Sequence, residues 1–298
     1  MRIMTEAAGC LASASGFKSI REAGYSVIGT DANSECYAKH LVDEFYCVPY
    51  AFDPKSKEFL FNLAIEKKID LVIPSLDEGM IRWAEMADDL KKRGVSVAIS
   101  SVDTVKICED KWLTYLKFKE SGIPTPKSSL KNEYPLVKPR LGRGGSGIHI
   151  NEPDVDMEDM ISQELLSGTE YTTDVFCNLN NEPIYIVPRQ RIGVKEGKST
   201  GGIVVEQKDI IEGIKKICKA IPFVGPFNAQ CFVSSTGEVK FTEINPRLGG
   251  GTALGMAATE NWFPLMVETF VNRKVVQAKF PVRYGMKMGR YYAEVFYS

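Results

Sequence analysis

Residues 1–103 repeat a strand–helix rhythm, and this restricts the fold more than any other feature of the chain. Ser26–Asp31, Asp70–Pro74 and Val95–Ile99 are short apolar runs, while Glu58–Lys67 and Glu78–Lys92 carry apolar residues at helical spacing. Buried strands alternating with amphipathic helices imply a parallel sheet covered on both faces. Gly9 follows the first strand and Asp31 lies ~20 residues on, as in a dinucleotide-binding turn. Only Gly9 and Gly16 occur in that loop, so the pattern Gly-x-Gly-x-x-Gly is absent and a dinucleotide site is disfavoured. The stretch Pro74-Ser75-Leu76-Asp77-Glu78 leaves a strand at its C-terminal end, where open sheets form ligand crevices. Asp77 or Glu78 therefore either meets a substrate ammonium or caps and charges the next helix.

At 298 residues the chain exceeds one compact core, so two or three units are expected. A boundary is placed near Ser100–Thr104, with residues 105–121 read as one helix and Gly122-Ile123-Pro124-Thr125-Pro126 as its stop. A formal net charge of -1 gives no footprint for nucleic acid or an anionic membrane. No run of ~18 apolar residues occurs. The seven cysteines are scattered without a Cys-x-x-Cys pair, which suits buried thiols in a reducing cytosol. Neither of the two histidines, His40 and His149, has a nucleophile or metal-ligand context, which removes the usual centre of Ser–His or zinc hydrolysis.

The chemistry concentrates in Lys240-Phe241-Thr242-Glu243-Ile244-Asn245-Pro246-Arg247, beside the glycines 249–251. In an extended chain Glu243, Asn245 and Arg247 share one face. Carboxylate and carboxamide oxygens suit a hard cation, and an arginine fork suits phosphate. Residues 225–233 read as a strand and Ser235-Thr236-Gly237-Glu238 as the turn that folds it back, setting Gln230 opposite Glu243 as a third oxygen ligand. Upstream, Lys138 ends a short apolar strand and is followed by Leu141-Gly142-Arg143-Gly144-Gly145-Ser146-Gly147. Glycine N–H groups and a lysine suit an anion, although the P-loop order is missing and a plain hairpin would look the same. The segment from Arg189 to Gly202 is basic and glycine-punctuated, and is read as a loop between strands.

In this order, these pieces resemble the ATP-grasp family, and the stand-alone proteins within it that look like one synthetase half of the carbamoyl-phosphate synthetase large subunit. The resemblance runs from Asp110-Lys111 through the Lys138 strand and residues 162–174 to Gln230 and Glu243-x-Asn245-Pro-Arg247. It implies an α/β chain: an N-terminal parallel-sheet, Rossmann-like pre-ATP-grasp domain over residues 1–103, then a two-lobed α+β ATP-grasp domain over 104–298, with the small lobe at about 115–165 and the large lobe at about 166–298. It also implies ATP with Mg²⁺, or Mn²⁺ in its place, held by Gln230, Glu243 and Asn245. By the same resemblance Lys111, Lys138, Gly144, Gly145 and Ser146 face the phosphates, Gln163, Glu164 and Leu166 the adenine edge, and Glu170 the ribose. Arg247, Lys138, Arg189 and Arg191 serve the transferred phosphoryl group and the second substrate.

The implied activity is a carboxylate–amine ligase working through an acyl phosphate. Carboxy phosphate or carbamate chemistry, and a regulator that binds ATP without turnover, are the alternatives. Small-molecule carboxylate and amine partners are expected, with no nucleic acid and no membrane, in a cytoplasmic protein compatible with a homodimer.

Overall fold

The computed structural model describes residues 1–142, 147–195, 198–291 and 293–297. Its strands fall into three sheets. Strands β1 (Arg2–Thr5), β2 (Ser26–Asp31), β3 (Glu44–Cys47), β4 (Leu71–Ile73) and β5 (Ser96–Val97) form a parallel sheet in the order β3-β2-β1-β4-β5. Alternate residues face opposite sides of such a sheet. Ile3, Val27 and Leu71 pack with helix α1 (Ser13–Glu22), whereas Met4, Ile28 and Val72 pack with helices α2 (Ser56–Glu66) and α3 (Met80–Lys92). Both faces are thus covered, as the strand–helix rhythm predicts. Where a dinucleotide site would bind ribose, the Asp31 carboxylate instead accepts the Gly9 N–H at 2.8 Å and closes the turn.

The helix expected over residues 105–121 is two helices, α4 (Val102–Glu109) and α5 (Lys111–Glu120). Asp110 breaks them: its backbone is extended, and its carboxylate caps α5 by accepting the Trp112 N–H at 2.8 Å. The same carboxylate takes the Arg140 guanidinium at 2.5 Å. One residue therefore fixes both the start of α5 and the end of the Lys138 strand.

Strands β6 (Ser128–Ser129), β7 (Leu136–Pro139), β8 (His149–Ile150) and β9 (Met160–Gln163) make a four-stranded sheet ordered β6-β9-β7-β8. Strands β10 (Thr169–Cys177), β11 (Pro183–Lys195), β12 (Lys198–Val204), β13 (Gly225–Val233), β14 (Val239–Asn245) and β15 (Lys287–Gly289) make an antiparallel sheet ordered β14-β13-β10-β11-β12-β15. Helix α6 (Lys208–Ala220) lays Ile210, Ile214 and Ile217 against it, at the spacing of one helix face. Gly213 sits on that face too, where a Cβ would stand 2.3 Å from the buried Phe241 ring. The basic segment read as a loop is part of two paired strands, with Arg189 opposite Val204 and Arg191 opposite Gly202. Glu196 and Gly197 lie outside the described residues.

The parallel sheet and the six-stranded sheet share one apolar core. Phe17, Ile20 and Val27 belong to the same cluster as Phe176, Tyr185, Val187 and Trp262. Trp262 stacks on Tyr185 with centroids 6.1 Å apart and meets the Phe176 ring edge-on at 5.7 Å. No helix among the described residues is long and apolar enough to cross a membrane.

Candidate functional site

The expected hairpin places Gln230 of β13 directly opposite Glu243 of β14. A bulge follows between Gln230 and Cys231 and re-aims the end of the strand. The Asn245 amide donates to Glu243 Oε1 at 3.0 Å and to Asn228 Oδ1 at 3.3 Å. Arg247, beyond the end of β14, reaches Asn245 Oδ1 with Nη2 at 3.3 Å, so the three alternate residues do share a face. Asn228, which sequence reasoning did not single out, is buried and donates to the Arg247 carbonyl at 3.1 Å, holding the turn out of β14.

Glu243 is half-buried, and among the described residues no cation lies within 4.0 Å of it. Its hydrogen bond from a neutral amide leaves lone pairs to spare. No group of three or more His, Cys, Asp or Glu among the described residues is arranged to hold a metal. The available donor set is one carboxylate with the carboxamides of Gln230 and Asn245, a set that suits a hard, oxygen-loving cation and not zinc.

Lys138, on β7 of the four-stranded sheet, faces this carboxylate. Burial pushes its ammonium down to about 8; the Glu243 charge works against that shift and the Lys111 charge adds to it. Lys111 opens α5, and its ammonium binds the Gly142 carbonyl at 2.8 Å while its N–H binds the Arg140 carbonyl at 3.1 Å. It thereby anchors the entrance of the glycine segment, whose Arg143, Gly144, Gly145 and Ser146 lie outside the described residues.

Gln163 is buried at the end of β9 with its amide on Ser128 Oγ at 3.0 Å. Glu164 binds Lys240 at 2.8 Å and the Lys127 N–H at 3.2 Å. Both side chains are thus engaged within the protein, and Leu166 follows in the link to β10. Glu170 on β10 is paired with Arg191 on β11. Arg189 is 3% exposed, its guanidinium gripping Asp174 at 2.5 and 2.9 Å, and Thr252 Oγ1 donates to the same carboxylate at 2.9 Å. The glycines around residue 250 serve this pair: a Cβ on Gly251 would stand 2.4 Å from Arg189 Nη1, and one on Gly255 would stand 2.6 Å from Asp174 Oδ2.

Asp77 neither caps α3 nor stands alone. It takes Arg247 as a two-pronged fork, Nε to Oδ1 at 2.5 Å and Nη2 to Oδ2 at 2.5 Å. Next to it, burial first and then the Asp77 and Glu78 charges push Glu109 up to about 7, against a backbone hydrogen bond from Ile81. The crevice at the C-terminal end of β4 therefore opens onto the Glu243–Asn245–Arg247 face.

A family model described as an ATP-grasp domain matches residues 108–251, and one described as a PylC-like N-terminal domain matches residues 13–98. Residues 108–251 thus match an ATP-grasp domain. Among sequence relatives, the carbamoyl-phosphate synthase of Methanobrevibacter smithii is 28% identical over 191 residues, which is 57% of this chain and 50% of that protein. The arginine-specific carbamoyl phosphate synthase large chain of Bacillus subtilis is 25% identical over 269 residues, 78% of this chain and 25% of its own length. The 3-methyl-D-ornithine–L-lysine ligase of Methanosarcina barkeri is 24% identical over 52% of this chain and 42% of that protein. The chain thus spans half or less of the length of these relatives. Among solved structures, biotin carboxylase from Campylobacter jejuni in complex with βγ-ATP superposes with a TM-score of 0.76 at 15% identity, over 96% of this chain and 74% of the other. N5-carboxyaminoimidazole synthetase from Staphylococcus aureus with ADP gives 0.72 at 17%, over 93% and 78%. These show that the parallel-sheet and antiparallel-sheet parts together share the fold of those two proteins.

Proposed function

We propose that the protein is an ATP-dependent carboxylate–amine ligase that releases ADP and phosphate. The observation that carries this reading is the convergence of Lys138 from one sheet with Glu243 and Asn245 from another, beside Lys111 and Arg247: cationic groups and oxygen ligands face one gap. Gln230, Glu243 and Asn245 would hold Mg²⁺, which when bound neutralises charge on the terminal phosphates of ATP. Lys138 and Arg247 bind and orient the γ-phosphoryl group, whose bond to ADP breaks as one forms to a substrate carboxylate oxygen. Positioning and electrostatics dominate such transfers, so no protein nucleophile is required. An amine then attacks the acyl phosphate, phosphate leaves, the amine gives up a proton, and an amide results. In the same reading Lys111 faces the phosphates from the start of α5, the Gln163–Leu166 link takes the adenine edge, and Glu170 the ribose. Arg189 acts by holding the Gly249–Gly251 turn, and Arg191 lines the side of the second substrate.

The relatives favour one further reading on the same scaffold. Carbamoyl phosphate synthases and the structurally similar carboxylases support bicarbonate as the activated carboxylate, with carboxy phosphate as its product. Incubation with ATP, Mg²⁺, hydroxylamine and either a pool of organic carboxylates or bicarbonate separates the two. The ligase reading expects a hydroxamate and ADP with the organic pool, and the second reading expects ADP release with bicarbonate alone. Formation of AMP and pyrophosphate, or of a phosphorylated protein, discards both.

Lys138 also sets a pH dependence. Its ammonium is charged below about 8 and neutral above. Nucleotide binding that needs this charge should weaken by about tenfold between pH 7 and pH 9, because only the protonated form pairs with phosphate. Lys138→Arg, which stays charged, should flatten the profile. Calorimetric titration with a non-hydrolysable Mg-ATP analogue across that range checks it; a flat wild-type profile removes Lys138 from the phosphate site.

A further inference from the structure

The Asp77–Arg247 pair joins residues 170 positions apart, from the end of the parallel sheet to the end of β14. Both side chains are about 15% exposed, at 15% and 14% respectively. A fork of two short bonds fixes the guanidinium plane as well as its location, which a single contact does not. Nη1 binds the Leu248 carbonyl at 3.1 Å, and Nη2 shares its second hydrogen with Asn245 Oδ1 at 3.3 Å. Of the five N–H groups of Arg247, one, on Nη1, has no partner among the described residues. The hydrogen bonds continue from Asn245 to Glu243 and Asn228. The parallel-sheet domain thus touches the candidate metal ligands through Arg247.

We propose that Asp77 is a positioning residue, which holds Arg247 so that its remaining N–H meets the transferring phosphoryl group. The proposal rests on the ligase reading above. In it, the parallel-sheet domain takes part in phosphoryl transfer by orienting a cation that belongs to the other sheet. Asp77 also offsets the Arg247 charge, so the pair adds direction to the phosphate site more than it adds ground-state attraction. Its removal accordingly affects kcat and leaves nucleotide affinity largely in place.

The test is a double-mutant cycle of Asp77→Asn and Arg247→Lys on the full chain. Asp77→Asn keeps the shape of the side chain, and urea midpoints report whether the fold survives. We expect kcat to fall about 10- to 100-fold, the scale of a misplaced catalytic group. The Kd for Mg-ADP should change less than about threefold, and no further loss should appear when Asp77→Asn is added to Arg247→Lys. In ¹⁵N spectra, the Arg247 Nε–H resonance, assigned by its loss in Arg247→Lys, should be protected from exchange in the parent and unprotected in Asp77→Ala, which leaves no acceptor. Additive losses with a raised KM for the amine would overturn the proposal in favour of direct substrate contact by Asp77. Unchanged kcat in Asp77→Asn, or an Nε–H equally protected in Asp77→Ala, would overturn it outright. A parent chain without ATP turnover would sink the ligase reading, and the Nε–H resonance would still decide whether Asp77 holds Arg247.

Discussion

Glu243→Gln is expected to fold as the parent does and to turn over roughly 10²-fold more slowly or worse, the scale for losing one group that stabilises the transition state. The amide oxygen of glutamine still accepts the Asn245 hydrogen bond, so the local geometry is retained. What disappears is the only negative charge in the donor set. A second effect follows, because the Glu243 charge favours the protonated form of Lys138. Without it the Lys138 ammonium falls further below its ordinary value, and the loss of nucleotide affinity moves to lower pH. Rates of ADP release, a Mg²⁺ titration and a urea midpoint on the same preparation test these points. Wild-type turnover in the variant would remove Glu243 from the metal site.

The second large effect concerns stability. Asp174→Ala and Arg189→Ala should each cost about 3–5 kcal/mol, because each strands an uncompensated charge in the interior. Asp174 is fully buried and Arg189 nearly so, with Thr252 completing the carboxylate's hydrogen bonds. Replacing both together, as Asp174→Leu with Arg189→Met, should recover much of the loss, since two apolar groups need no partner. Urea unfolding of the three variants decides it. Single variants within 1 kcal/mol of the parent would show that the pair does not hold this region.

Much of the fold was legible because it is written in short-range pattern. Apolar runs such as Ser26–Asp31, alternating with helical spacing, require a covered parallel sheet whatever the rest of the chain does. The Ser235–Glu238 turn fixes the register that sets Gln230 opposite Glu243, so a site across two strands could be read from one stretch of sequence. Other features depend on residues far apart along the chain. Asp77 looks like a helix-capping residue, and nothing near it in sequence names Arg247 as its partner. The role of Arg189 did have a local signal: Tyr185, Val187 and Arg189 are alternate residues of β11, so an arginine on that face enters the core and needs a buried counter-charge. The break at Asp110 was also readable, as an aspartate standing where an N-cap belongs, but the apolar residues on both sides kept helical spacing and hid it.

The shared core beneath Trp262 determines which part of the molecule can act as a flap. Sliding the parallel sheet over the six-stranded one would expose Phe17, Ile20, Tyr185 and Trp262 together, at roughly 2–3 kcal/mol for each large side chain brought into water. Those two sheets behave as one block. The four-stranded sheet is fully apolar inside only at Val137 and Ile161, neither of which joins the large clusters. Polar links such as Lys240–Glu164 and the Lys111–Arg140 hydrogen bond tie it to the block. Polar links can be exchanged with water and re-formed at little cost, so on the proposed reading opening and closing over a nucleotide is expected in the piece that carries Lys138. On that reading the lysine is expected to travel, while Glu243, Asn245 and Arg247 stay with the block as the fixed side of the clamp.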